Sequence, residues 1–260
     1  ALTLILWRFA ISSAAIGIVI LVKRYSFKID REYRRSTLLL GVIWSGAMIC
    51  YLLSIETISV SLAVLILYSY PVLVLLVSLL QGILKPSLAL VGVFVLAFTG
   101  LALMLGGIEM QFSAAGVIFA LLAAGGAAYT FLKGSAIAPL MNPVVLTFWV
   151  NLLGIFIILP MVYGNYAMPV SSTGMLYLAG ATLCYLVAIL AQFEALARMP
   201  AARAAFIFNL EPVVSILLAL VFLGETLAVI QWVGAAMVIG VLFSFNRISG
   251  ASAQAVQRAR

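Results

Sequence analysis

Histidine is absent from the sequence, and cysteine occurs only at Cys50 and Cys184. The first absence removes the commonest general base and the commonest zinc ligand, which argues against an intramembrane hydrolase. Both cysteines lie inside apolar segments, so no disulfide framework is expected. Charge is scarce: 8% of the 260 residues are Asp, Glu, Lys or Arg, with 7 acidic against 14 basic. No acids pair at close helical spacing and no metal-ligand cluster stands out, so no catalytic constellation, metal or cofactor is expected. The glycine-rich phosphate loop of nucleotide hydrolases is missing too, which excludes ATP as an energy source within this chain. The net charge of +7 sits in short loops between apolar stretches, a placement that speaks against a nucleic-acid partner.

What fills the sequence instead is apolar: 66% hydrophobic residues and a mean hydropathy of +1.29. A soluble domain could not hide that much apolar surface, so the lipid bilayer is the solvent and the protein is all-α and membrane-embedded. Nine segments are long enough to cross: Leu2–Val22, Thr37–Ile55, Ser59–Leu80, Ser87–Leu105, Ala114–Leu132, Pro143–Tyr163, Thr173–Ala195, Ala202–Leu223 and Ala228–Phe245. The first has no basic stretch before it and reads as a span, not a cleavable signal. Lys23, Arg24, Lys28, Arg31, Arg34 and Arg35 crowd the first loop and assign it to the cytoplasm. Lys85, Lys133, Arg198, Arg203, Arg247, Arg258 and Arg260 then fall on the same side, with Glu56, Glu109 and Glu225 opposite. The C-terminus is therefore expected inside, with residues 249–260 as a cytoplasmic tail.

Two stretches repeat one layout 141 residues apart: Tyr51 to Pro71 and Gln192 to Pro212. Each is the end of an apolar segment, a polar break, and a segment interrupted by proline. Pro71 and Pro212 each free a backbone carbonyl, and a kink is expected at both. Paired interrupted helices in two halves of a chain point to a transporter's binding site. The same offset maps the first span onto Pro143–Tyr163, leaving Ala114–Leu132 without a counterpart. A repeat with an odd number of spans places its copy upside down in the membrane. The expectation is a ten-helix, 5+5 inverted-repeat bundle of which nine transmembrane helices are seen: residues 1–110 form the first repeat, without its first helix, and 111–248 the second. The alternative is a nine-span protein with an outside N-terminus.

Leu6–Ser13 (LWRFAISS) and Ala202–Leu242, with its mid-helix proline, Gly-Glu turn and glycine-rich last helix, are similar to EamA-type transporters of the drug/metabolite transporter superfamily. The resemblance implies ten helices in two inverted repeats and the export of small metabolites such as amino acids from the bacterial cytoplasm. It implies an integral, multi-pass protein of the inner membrane.

Polar groups inside spans are costly and therefore candidate site residues. Tyr68, Ser69 and Tyr70 precede Pro71, and Asn209 and Glu211 precede Pro212; the 141 offset pairs Tyr68 with Asn209 and Tyr70 with Glu211. Glu211 suits proton coupling or a substrate amine; the plainer reading is a packing glutamate bonded to a hydroxyl or a freed carbonyl. Glu194, near the end of its span, reads as wet. Arg8 suits a bidentate contact to a substrate carboxylate, or pairs with Glu211, or snorkels outward. Trp149, Asn151 and Tyr185 lie mid-span with Trp44, and either fill the bundle core or line a cavity for a partly apolar solute. Gly125 and Gly126 smooth one helix for close approach. Gly234, Ala235, Ala236 and Gly240 form a packing face within the bundle or a homodimer face. The function expected is alternating-access export of small metabolites, amino acids foremost, with protons one candidate coupling ion. The alternatives are a passive facilitator or channel, multidrug efflux, and, against the missing constellation, a membrane enzyme or receptor.

Overall fold

The computed structural model describes residues 2–83, 87–105, 113–163, 166, 171–223 and 228–241. The described residues form helices and their connections. They are α1 (Leu2–Val22), α2 (Arg31–Ile55), α3 (Val60–Leu67), α4 (Tyr70–Leu80), α5 (Leu88–Met104), α6 (Ala114–Ile137), α7 (Pro143–Val162), α8 (Ser172–Arg198), α9 (Ala201–Phe208) and α10 (Leu210–Leu223), followed by α11 (Val229–Val241). Without water in the hydrocarbon layer every backbone group must be paired within its own segment, and the helix does that. Among the described residues, six spans are long and apolar enough to cross a membrane: α1, α2, α3 with α4, α6 with the turn that follows it, α7 and α8. The protein is an all-α, multi-pass integral membrane protein.

Helix ends follow local chemistry more closely than hydropathy. Ser59, Ser87 and Ser171 cap α3, α5 and α8 by accepting the N–H of Leu62, Leu90 and Gly174. Asn142 caps α7, taking the Val144 N–H at 2.9 Å, with Pro143 at the first helical position, where no N–H is needed. The helix α2 starts at Arg31, well before the expected Thr37, because its basic residues are good helix formers even outside the apolar layer. α8 continues to Arg198 and stops just before Pro200. Arg198 reaches back one turn to Glu194 at 2.7 Å, which accounts for Glu194 as an accessible ion pair. The last expected span is described only over Val229–Val241. Lys85, Glu109, Glu225, Arg247, Arg258, Arg260 and the tail 249–260 lie outside the described residues.

The two expected kinks are full breaks. α3 ends at Leu67 and α4 begins at Tyr70; α9 ends at Phe208 and α10 begins at Leu210. Leu67 and Phe208 are the residues four before Pro71 and Pro212, so each helix ends where the proline ring would meet a carbonyl it cannot bond. The chain tightens there: the Ser69 N–H bonds Ile66 O at 3.0 Å and the Asn209 N–H bonds Phe206 O at 3.2 Å. Each proline then occupies the first turn of the restarted helix, where its missing N–H costs nothing.

The chain forms two compact units. The first comprises Ala1–Leu53 and Gly125–Ala201, the second Ser54–Ala124 and Ala202–Arg260. These units cut across the sequence division expected near residue 110. Under the 141-residue offset α1 matches α7, α2 matches α8, α3–α4 matches α9–α10, and α5 matches α11. Each unit therefore holds both members of its pairs.

In the first unit α1 and α7 run antiparallel. Phe9 lies over Gly154 and Phe148 over Gly17, so the contact moves back along α7 as it moves forward along α1. Gly154 is required there: a Cβ would collide with the Phe9 ring and stand 2.9 Å from the Ser45 hydroxyl. In the second unit α5 and α11 cross in the same sense. Gly100 packs on Gly234, and the Gln231 side-chain amide donates to the Met104 carbonyl at 3.1 Å. Ala97, Leu101, Val238 and Val241 are buried in the same cluster. Gly234 and Ala235 are thus spent on packing inside the unit, while Ala236 and Gly240 are exposed.

Candidate functional site

In the first unit polar groups from three helices join. The Tyr185 hydroxyl (α8) donates to Asn151 Oδ1 (α7) at 2.9 Å and accepts from the Trp44 indole (α2) at 3.4 Å. Asn151 is fully buried, and its amide donates to the Thr147 carbonyl at 2.8 Å. Phe9 (α1) lies against the Tyr185 ring at 5.9 Å between centroids. Trp44 and Tyr185 are themselves 141 residues apart, so a residue and its repeat counterpart touch. Arg8 neighbours Phe9 and stands within electrostatic reach of Tyr185. Its Nε is buried without a hydrogen-bond partner, and so is the hydroxyl of Ser12 one turn along the same face.

Trp149 is elsewhere. Its indole donates to the Phe27 carbonyl at 2.9 Å, in the basic loop between α1 and α2, and its ring stands edge-on to Phe148. Trp7 makes a comparable tie at the opposite end of α1, donating to the Tyr166 hydroxyl at 3.0 Å. Both indoles anchor helix ends to loops. Trp149 is thereby separate from Asn151 and Tyr185, with which its mid-span position had grouped it.

In the second unit the two breaks meet around one small pocket. Tyr68 and Asn209, counterparts under the offset, line it with Pro71, Val72 and the α5 face of Phe94, Ala97, Phe98 and Leu101. It has room for about one water molecule. Asn209 Oδ1 is buried there without a partner, the kind of acceptor that such a guest would satisfy. Tyr70 is buried and stacks obliquely near Tyr68 at 6.1 Å between ring centroids. Ser69 caps nothing with its side chain; its carbonyl accepts from Val72 at 3.0 Å and begins α4. Glu211 is exposed on the first turn of α10, where the positive end of the helix dipole favours a carboxylate, and it stands within electrostatic reach of the Tyr70 phenol.

The breaks bring Tyr68, Tyr70, Asn209 and Glu211 together within the second unit, while Arg8, Asn151 and Tyr185 share the first. Sequence reasoning had not singled out Ser12, Phe9 or the Trp44–Tyr185 contact. The signals were present: Ser12 lies four residues after Arg8, and Trp44 lies one repeat offset before Tyr185.

No curated protein matches the sequence. A solved structure described only as the crystal structure of a protein is similar over 94% of this chain and 86% of its own, with a TM-score of 0.79 and 16% identity; it shares the fold. The profile of the EamA-like transporter family matches residues 114–247, which include α6 to α11. The chain belongs to the EamA-like transporter family.

Proposed function

We propose that this membrane transporter exports small metabolites, amino acids foremost, by alternating access between two inverted repeats. The observation that carries the reading is the matched pair of breaks, at Tyr68–Ser69 and at Asn209, one repeat offset apart and lining one pocket. Interrupted helices of this kind leave backbone polar groups free at membrane depth, where a solute or ion can use them. The antiparallel packing of α1 on α7, and of α5 on α11, supports inversion, because a repeat in the same sense would run each helix parallel to its counterpart. Glu211, exposed and beside Tyr70, is the group we assign to proton coupling. The family resemblance implies the inner membrane, and the basic loops support a cytoplasmic C-terminus.

Counterflow in proteoliposomes tests the reading, using the full chain and labelled amino acids. Accumulation of labelled solute against its own gradient identifies a carrier. Uptake that only equilibrates, without counterflow, identifies a passive facilitator instead. No movement of any solute, apolar drugs included, overturns transport by this chain.

A further inference from the structure

We infer that the first unit carries a recognition site for a carboxylate, formed by Arg8 and Ser12 of α1 beside the aromatic pair Phe9 and Tyr185. The inference rests on the transporter reading and assigns its substrate a chemistry: a small solute with a carboxylate next to an apolar body.

Buried helix hydroxyls in this protein ordinarily satisfy themselves on their own backbone. Ser45 donates to Gly41 O, Ser78 to Val74 O, Thr130 to Gly126 O, Thr147 to Pro143 O and Thr182 to Leu178 O, each four residues back. Ser12 and its neighbour Ser13 do not, although both are buried; of the two, Ser12 lies one turn from Arg8. Arg8 also holds a buried N–H without a partner. A buried guanidinium N–H and a buried hydroxyl on one helix face, both without a partner, are poised for an acceptor from outside the chain.

The charge points the same way. The acidic residues of the first unit are Asp30, Glu32 and Glu194. Glu194 is taken by Arg198. Asp30 and Glu32 lie beyond the far end of α1, where the loop enters α2, whereas Arg8 is near the start of α1. The neighbouring polar groups need nothing from Arg8: Tyr185 gives its proton to Asn151 and receives one from Trp44, and Asn151 is satisfied by Thr147. Among the described residues, no acid of this unit forms an ion pair with Arg8, so a ligand carboxylate would supply its counter-charge. Guanidinium recognises a carboxylate through directed N–H bonds that a lysine cannot reproduce. The half-buried Tyr185 ring, backed by the buried Phe9, offers the adjoining apolar body a surface.

Equilibrium binding to the full chain in zwitterionic lipid nanodiscs tests this, with labelled L-leucine and L-phenylalanine as probes and their carboxamides as competitors. The acids should compete at least about tenfold better than the carboxamides, since the lost contact is a charged hydrogen bond. Arg8→Gln should erase that preference, and Ser12→Ala should weaken acid binding by a smaller, several-fold factor. Ser78→Ala, which removes a self-satisfied hydroxyl in the second unit, should change neither. Equal competition by acids and carboxamides overturns the site, and that comparison needs no variant to fold. An Arg8→Gln protein that keeps the preference overturns it as well, as does failure of both acids to bind. Counterflow in the same preparation separates the two claims. If a neutral or cationic solute shows counterflow and no carboxylate does, the site falls and the carrier stands.

Discussion

Replacing Gly234 by alanine inserts one methyl group where α11 crosses α5. A Cβ built on Gly234 meets the Gly100 carbonyl oxygen, stands 2.6 Å from the Met104 nitrogen, and is 3.0 Å from the Met104 Cα. Ordinary carbon contacts lie at about 3.5–4.0 Å, so the two helices have to separate by about 1 Å. The obstacle is backbone, and no rotamer change relieves it. Overpacking of this kind costs about 1–3 kcal/mol, and separation also loosens the buried contacts of Ala97, Leu101, Val238 and Val241. The expected loss is therefore near the upper end, about 3 kcal/mol. Gly240→Ala is the matched control: its Cβ meets nothing within 4 Å, and a change of at most about 0.5 kcal/mol is expected. Reversible unfolding in mixed micelles, followed by helical circular dichroism, measures both. A Gly234→Ala protein as stable as its parent would refute the crossing, and with it the antiparallel pairing of α5 with α11.

Tyr185→Phe removes the donor to a fully buried Asn151 and should destabilise the protein by about 1–3 kcal/mol in the same unfolding measurement, because Asn151 Oδ1 is left unsatisfied. Pro71→Ala and Pro212→Ala restore an N–H four residues after Leu67 and Phe208, so each helix can close over its break. Solute flux should fall while the folded yield stays near that of the parent; loss of folded protein with normal specific flux in what remains would mean a purely structural role. Glu211→Gln should abolish uphill, proton-driven transport and leave downhill exchange intact, and unchanged uphill transport under an imposed pH gradient would sink the coupling role. Trp149→Phe should leave acid-over-carboxamide discrimination unchanged, since the indole is engaged with the Phe27 carbonyl; a changed preference would return Trp149 to the solute site.

Composition alone determined the solvent, and with it the helix, since a chain this apolar has no other way to pair its backbone in lipid. The offset of 141 was also legible, and so were the two prolines that end helices four residues ahead of themselves. α1 fell within its expected bounds because both of its ends coincide with the limits of an apolar run. α2 and α8 ran longer, because hydropathy senses the bilayer while caps and prolines end helices. The site was less legible. Trp149, Asn151 and Tyr185 occupy similar depths in one-dimensional text, yet only the direction in which each side chain leaves its helix assigns it to a loop or to the interior. The exposure of Glu211 on the first turn of α10 was not legible from its sequence neighbours. Which helices pair was likewise a tertiary outcome: each compact unit gathers helices from both halves of the chain. Sequence records the periodicity and cost of each segment by itself. The partner of the Arg8 Nε or the Ser12 hydroxyl is decided by what neighbouring helices bring to within hydrogen-bond distance, and that depends on packing in three dimensions.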